Sequence, residues 1–133
     1  MKKTINTTGK RKSAIARAVL RDGKGIIRIN SFNLDVMQPK FAKMKIQEPL
    51  MLAEELAKKV DIDVNVIGGG WQSQSEASRL AIARALVEFS GSKKLKQDFL
   101  SYDRNLLVQD SRSREPRKPN DSRARAMRQK SYR

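Results

Sequence analysis

The residues best equipped to do chemistry are cations gathered near the two ends, and that chemistry is the neutralisation of phosphate. Arg112, Arg114, Arg117, Lys118, Arg123, Arg125, Arg128, Lys130 and Arg133 are separated by small or polar residues. Successive side chains therefore leave the chain in several directions, which suits a thread through folded RNA better than one flat contact. Tyr132 adds a ring able to stack on a base or ribose. The competing reading, a solvated and unused tail, leaves the concentration of charge unexplained. Near the other end stands Lys10-Arg11-Lys12, a run too common to weigh much alone.

Other chemistries are poorly served. With neither Cys nor His, the chain has no imidazole base, Ser-His triad, thiolate nucleophile or usual zinc ligand, and no disulfide framework. Asp61 and Asp63 share one face of a strand pattern and invite a Mg²⁺ reading, but no third ligand is evident, and a solvated face is the plainer expectation. Gly68-Gly69-Gly70 lies between a strand and a helix pattern, where glycines bring backbone N–H groups to phosphate. A Walker loop needs Lys and Ser or Thr directly after its last glycine, whereas Trp71-Gln72-Ser73 follows here. A backbone approach to RNA phosphate and a purely structural turn both stay open. No cofactor, metal or small-molecule substrate is expected, and a phosphotransferase lacks a base, a metal cage and a phosphate loop.

The totals agree with a polyanionic partner. Of 133 residues, 29 are Lys or Arg and 14 Asp or Glu, a net charge of +15. Residues 1–28 carry nine basic and one acidic side chain, residues 104–133 ten and three, and residues 29–103 ten of each. The whole excess lies at the ends, which favours ends that grip something over a surface charged only for solubility. No signal-peptide core or membrane-length apolar run stands out, so a soluble cytoplasmic protein without membrane contact is expected.

Elements must hold these cations in place. Residues 14–21 alternate like a strand, residues 21–25 form a turn cluster, and residues 26–29 suit a return strand. That hairpin would bring Arg17, Arg21 and Arg28 near one face. Residues 31–47 suggest a loop with one helical turn, and Glu48-Pro49 predicts a helix start, with Leu52, Ala53 and Leu56 on its apolar face. Val60, Ile62, Val64 and Val66 alternate with polar residues in the clearest strand pattern. A broadly apolar helix is predicted over 75–89, with Arg79, Arg84 and Glu88 at its wetter positions, and a shorter one over 93–101. The spacing thus predicts one globular α+β domain over 1–108, with a basic N-terminal hairpin, and an extended basic tail over 109–133. The tail has too little apolar area to order by itself.

Five motifs in order resemble the family of the ninth protein of the small ribosomal subunit. They are Gly9-Lys10-Arg11-Lys12-Ser13-Ala14-Ile15-Ala16-Arg17-Ala18; Glu48-Pro49-Leu50; Gly68-Gly69-Gly70 with Glu76-Ala77 and the Arg79-Leu80-Ala81-Ile82-Ala83-Arg84-Ala85-Leu86 stretch; Tyr102-Asp103-Arg104; and Gln129-Lys130-Ser131-Tyr132-Arg133. The Ser-Tyr-Arg ending is similar to the archaeal and eukaryotic branch, and the short length favours an archaeon. The resemblance implies a two-layer βαβ sandwich like the second domain of the small subunit's fifth protein. It implies small-subunit rRNA in the head as partner, beside neighbouring head proteins, with the tail reaching peptidyl-site tRNA. By position, Lys10, Arg11, Lys12 and Arg17 would face rRNA, and Lys130 and Arg133 the tRNA. Ser73, Ser75 and Asn120-Asp121-Ser122 depart from the family's usual small or glycine-rich residues.

Overall fold

Period-two alternation of small inward residues with polar outward ones builds the sheet. In the structure, a computed structural model describing residues 3–120 and 123–132, five strands form: β1 (Ile5–Arg11), β2 (Ala14–Asp22), β3 (Ile27–Ile29), β4 (Phe32–Asn33) and β5 (Val60–Ile67). Their order is β1-β2-β5-β3-β4, antiparallel except for the β3–β5 pair. Ile5, Thr7 and Gly9 of β1, Ala14, Ala16, Ala18 and Leu20 of β2, and Val60, Ile62, Val64 and Val66 of β5 turn to one buried face.

Four helices follow from the remaining pattern: α1 (Lys40–Leu52), α2 (Glu54–Ala57), α3 (Trp71–Ser90) and α4 (Lys93–Tyr102). The helix α3 lies across β1, β2 and β5, and α1 packs on α3. Ile46 and Leu50 of α1, Ile82 and Leu86 of α3, Phe99 of α4 and Leu106 join the strands in one core. The α+β class expected from the sequence is the one observed. Among the described residues no helix is long and apolar enough to cross a membrane.

The closest contact explains the small residues of β1 and β2. A Cβ built on Gly9 would fall 2.2 Å from the Ala77 carbonyl oxygen and 2.8 Å from the Ala81 nitrogen. Beside it the buried Thr7 hydroxyl donates to the Ala81 carbonyl at 2.7 Å, so α3 rests directly on the strand backbone. Larger inward side chains would lift the helix away.

Three expectations need correction. The strand over 26–29 does not return beside residues 14–21: β2 pairs with β1 and β5, and β3 runs parallel to β5. The intervening loop is tied to the start of β5, because Gly23 and Gly25 donate to the Lys59 and Val60 carbonyls, and Lys24 and Ile26 donate to the Asp61 carboxylate. Residues 40–47 are helical, and α1 starts directly after Pro39. Pro49 therefore sits inside α1, where Ala42, Ile46, Pro49 and Leu50 supply the buried stripe. Finally, Arg79 is not at a wet position, since its side chain is only 12% exposed and carries two ion pairs.

Candidate nucleic-acid interface

Three segments distant in sequence meet at one end of the sheet. The β1–β2 turn at Lys12-Ser13, the glycine loop before α3 and the start of the tail line a cleft of about 800 Å³, with Lys12, Ser13, Gly69, Gly70, Ser73, Arg112, Ser113 and Arg114 on its walls. Gly68 and Gly69 adopt φ of +80° and +65°, and a Cβ on Gly68 would fall 2.4 Å from the Ser13 carbonyl oxygen. These two glycines therefore have a structural task, seating the loop against the turn. Gly70 differs: nothing lies within 4 Å of its Cβ position, and it precedes α3 without a side-chain cap. Of the Ser departures, Ser73 lines the cleft, while Ser75 is buried and its hydroxyl donates to the Gln72 carbonyl at 2.7 Å.

Lys12 is held in the left-handed region at φ +53°, a conformation that favours glycine. Changing Lys12→Gly is expected to leave the melting temperature unchanged or raised while lowering RNA affinity about threefold to tenfold, the effect of losing one phosphate contact. Calorimetry and anisotropy titration on the same sample would check both.

The other sequence-predicted cations are distributed unevenly. Arg17 is exposed on the sheet face left open by the helices, in register between Thr8 and Asn65, with Lys10 further along the same face opposite Ile15. Arg28 faces Asp63 at 4.0 Å beyond them. Arg112 and Arg114 join Lys12 at the cleft, whereas Arg17 does not. Arg112 is gripped by Asp110 at 2.7 Å, and Arg125 pairs with Glu115. Arg117, Lys118, Arg123, Arg128, Lys130 and Tyr132 are exposed, without an ion pair among the described residues, and Arg133 lies outside those residues. Arg11 is turned inward, with a side chain 15% exposed, bound to Glu76 at 2.8 Å.

The chain matches the family model described as ribosomal protein S9/S16 over residues 9–133, a span that includes both cationic segments. The chain belongs to this family. It is 53% identical over 133 residues to the small ribosomal subunit protein uS9 of Methanococcus maripaludis strain C7, covering 98% of this chain and 99% of the relative. The uS9 protein of Methanococcus vannielii is equally similar over the same shares. Membership in the S9/S16 family identifies a ribosomal protein of archaeal type rather than an enzyme, which removes the phosphotransferase reading.

In a second cleft that shares Arg112 with the first, this S9/S16-family chain holds a network of ion pairs that local sequence patterns did not reveal. Glu76 of α3 bridges Arg11 at 2.8 Å and Lys45 at 2.9 Å, and Arg79 joins Glu48 to Asp103, the latter at 3.0 Å. Only a carboxylate inside a helix predicted to be apolar could have hinted at it, since every partner is remote in sequence. Burial raises the Glu76 carboxyl, but its hydrogen bonds to Lys45 and Arg11 outweigh this and hold it below the ordinary range. Asp103 follows the same balance, with the Asn105 N–H and Arg79 overcoming burial. Asp61 is lowered by the Ile26 and Lys24 amides. Among the described residues no group of three or more His, Cys, Asp or Glu is placed to hold a metal.

The pH dependence follows from these directions. A carboxylate whose folded pKa lies below its unfolded value contributes stability above the unfolded value, and that contribution is lost as pH falls through the folded one. The urea midpoint is expected to stay level between about pH 6 and 8, where a chain without His has little to titrate, and to decline below about pH 4.5. Replacing Asp61→Asn should weaken that decline, as denaturation at stepped pH would show.

Proposed function

We propose that the chain is a structural constituent of the small ribosomal subunit in the cytoplasm, where it binds small-subunit rRNA in the head and extends its C-terminal tail to peptidyl-site tRNA. The observation that carries this reading is the meeting of Lys12, Arg112 and Arg114 at one cleft, in a chain whose family match spans both cationic ends. The Methanococcus relatives are named as proteins of the small ribosomal subunit.

Residues 1–108 act as the globular body, two-layered like the second domain of the small subunit's fifth protein. Residues 109–133 act as a tail that orders on RNA. Lys10, Lys12 and Arg17 meet rRNA from the body; Arg112, Arg114, Arg117, Lys118, Arg123, Arg125 and Arg128 meet it from the tail. Lys130, Tyr132 and Arg133 reach the tRNA, Tyr132 by stacking on a base or ribose. Neighbouring head proteins complete the surroundings. Arg17 stands on an open sheet face between Thr8 and Asn65, so its contact is with phosphate or ribose rather than a stacked base.

Small subunits reconstituted with a chain lacking residues 129–133 test the reading. Assembly is expected to proceed normally, with tRNA leaving the peptidyl site several-fold faster. Unchanged tRNA dissociation would remove the proposed role of the last residues, and failure of the full chain to enter the subunit would remove the whole.

A further inference from the structure

Two arginines hold the segment from which the tail departs. Arg84 of α3 donates from Nη1 to the Thr8 carbonyl at 2.9 Å and from Nε to the Leu107 carbonyl at 3.2 Å, joining β1 to the chain just beyond the core. Arg11, at the end of β1, donates from Nε to Glu76 and reaches forward with Nη1, 3.4 Å from both the Asp110 carboxylate and the Arg112 carbonyl. Asp110 in turn receives the Arg112 backbone N–H at 2.9 Å and its guanidinium through both carboxylate oxygens. The Asp110 side chain is 17% exposed, so it is drawn into the body rather than left in solvent.

We infer that Arg11, with Asp110, is a clamp that fixes where the tail leaves the body, and so brings Arg112 and Arg114 opposite Lys12 for a shared RNA phosphate contact. Arg11 is then a positioning residue and not an RNA ligand, the reverse of the role that its place in a basic run suggests. The ligand class is the RNA sugar–phosphate backbone, and this rests on the rRNA-binding reading above. Asp110 gives the inference its sharpest consequence. On net charge alone, removing an acid from a cationic tail strengthens RNA binding. As part of a clamp, its removal weakens binding, because the two arginines beside it lose their station at the cleft.

Two measurements decide. The first needs no RNA: a spin label on Ser113→Cys, unique in a chain without Cys, should broaden the amide resonances of Ser13, Gly69 and Gly70. The broadening should be lost on adding Asp110→Asn, or Arg11→Lys, which keeps the charge but not the fork that serves three acceptors. Broadening that persists in both variants would overturn the clamp. The second is the affinity of the full chain for a small-subunit head rRNA transcript. Asp110→Asn is expected to weaken it about threefold to tenfold, in line with the coupling of neighbouring contacts. Equal or tighter binding would overturn the inference. If the unaltered chain failed to bind the transcript, the functional reading would fall, and the relaxation experiment would still decide the clamp.

Discussion

Ending the chain at residue 108 is expected to leave the body folded and to remove most of its RNA affinity. Core residues stop at Leu106, with Leu107 half-buried against them, and residues 111–120 and, apart from Ala124, 123–132 are exposed. Among the described residues beyond 108 none belongs to the hydrophobic core, so the melting temperature should change little. That same segment carries nine Lys or Arg and three Asp or Glu. Arg112 and Arg125 pair with carboxylates but keep their side chains largely exposed, so they stay open to phosphate together with the other cations of the segment. If six of them neutralise phosphates, the slope of log affinity against log salt should become shallower by roughly 4 to 5, and affinity near 0.1 M salt should fall roughly 10⁴- to 10⁵-fold. Anisotropy titration across a salt series would measure both, and an unaltered slope would show that the tail carries no phosphate contacts.

The largest effect on stability is expected from Gly9→Ala. The new methyl would lie well inside van der Waals contact distance of two backbone atoms of α3, and neither can move unless the helix shifts off the sheet. Overpacking typically costs about 1–3 kcal/mol. With backbone on the far side the upper figure applies, so a loss of about 3 kcal/mol and a melting temperature lower by roughly 12 °C or more are expected. Gly70→Ala, where nothing lies within 4 Å, should change stability by less than about 1 kcal/mol. A thermal melt of the pair separates steric exclusion at one glycine from the general loss of a flexible residue.

How legible each part was depends on how far away its cause lies. The strand β5 announced itself because four inward Val and Ile alternate with polar residues over a single short stretch. The strand β1 did not, because its inward positions after Ile5 are Thr7 and Gly9, kept small by a helix more than 60 residues later in the chain. The pairing of β3 was misjudged for a similar reason: proximity in sequence suggested a hairpin with β2, while the hydrogen bonds that place it come from Lys59, Val60 and Asp61. Pro49 was read as a helix start, whereas the buried spacing of Ala42, Ile46 and Leu50 belongs to a helix that begins directly after Pro39.

The cations of the interface were legible as types and counts, but not in their duties. Lys12 and Arg11 are neighbours in one basic run, yet Lys12 stands at the exposed turn while Arg11 is enclosed by Glu76 and Asp110. Arg79 looked like the wet side of an apolar helix and instead ties α1 to the end of α4. Enclosed cations such as Arg11 and Arg79 are spent on acids within the protein, and no local pattern shows which acids those are. Charge segregation pointed to a polyanion, and folding decided which charges stay exposed.

Hydroxyl-radical probing from iron chelates tethered to single cysteines tests most directly whether the basic ends are what touches RNA. Cysteines would replace Ser13, Ser113 and Glu55, one at a time, in chains assembled into small subunits. Overlapping rRNA cleavage from positions 13 and 113, which share the cleft, and little from exposed position 55 in the electrically neutral stretch, is the expected result. Strong cleavage from 55 with none from 13 or 113 would contradict the placement of RNA at the two cationic ends.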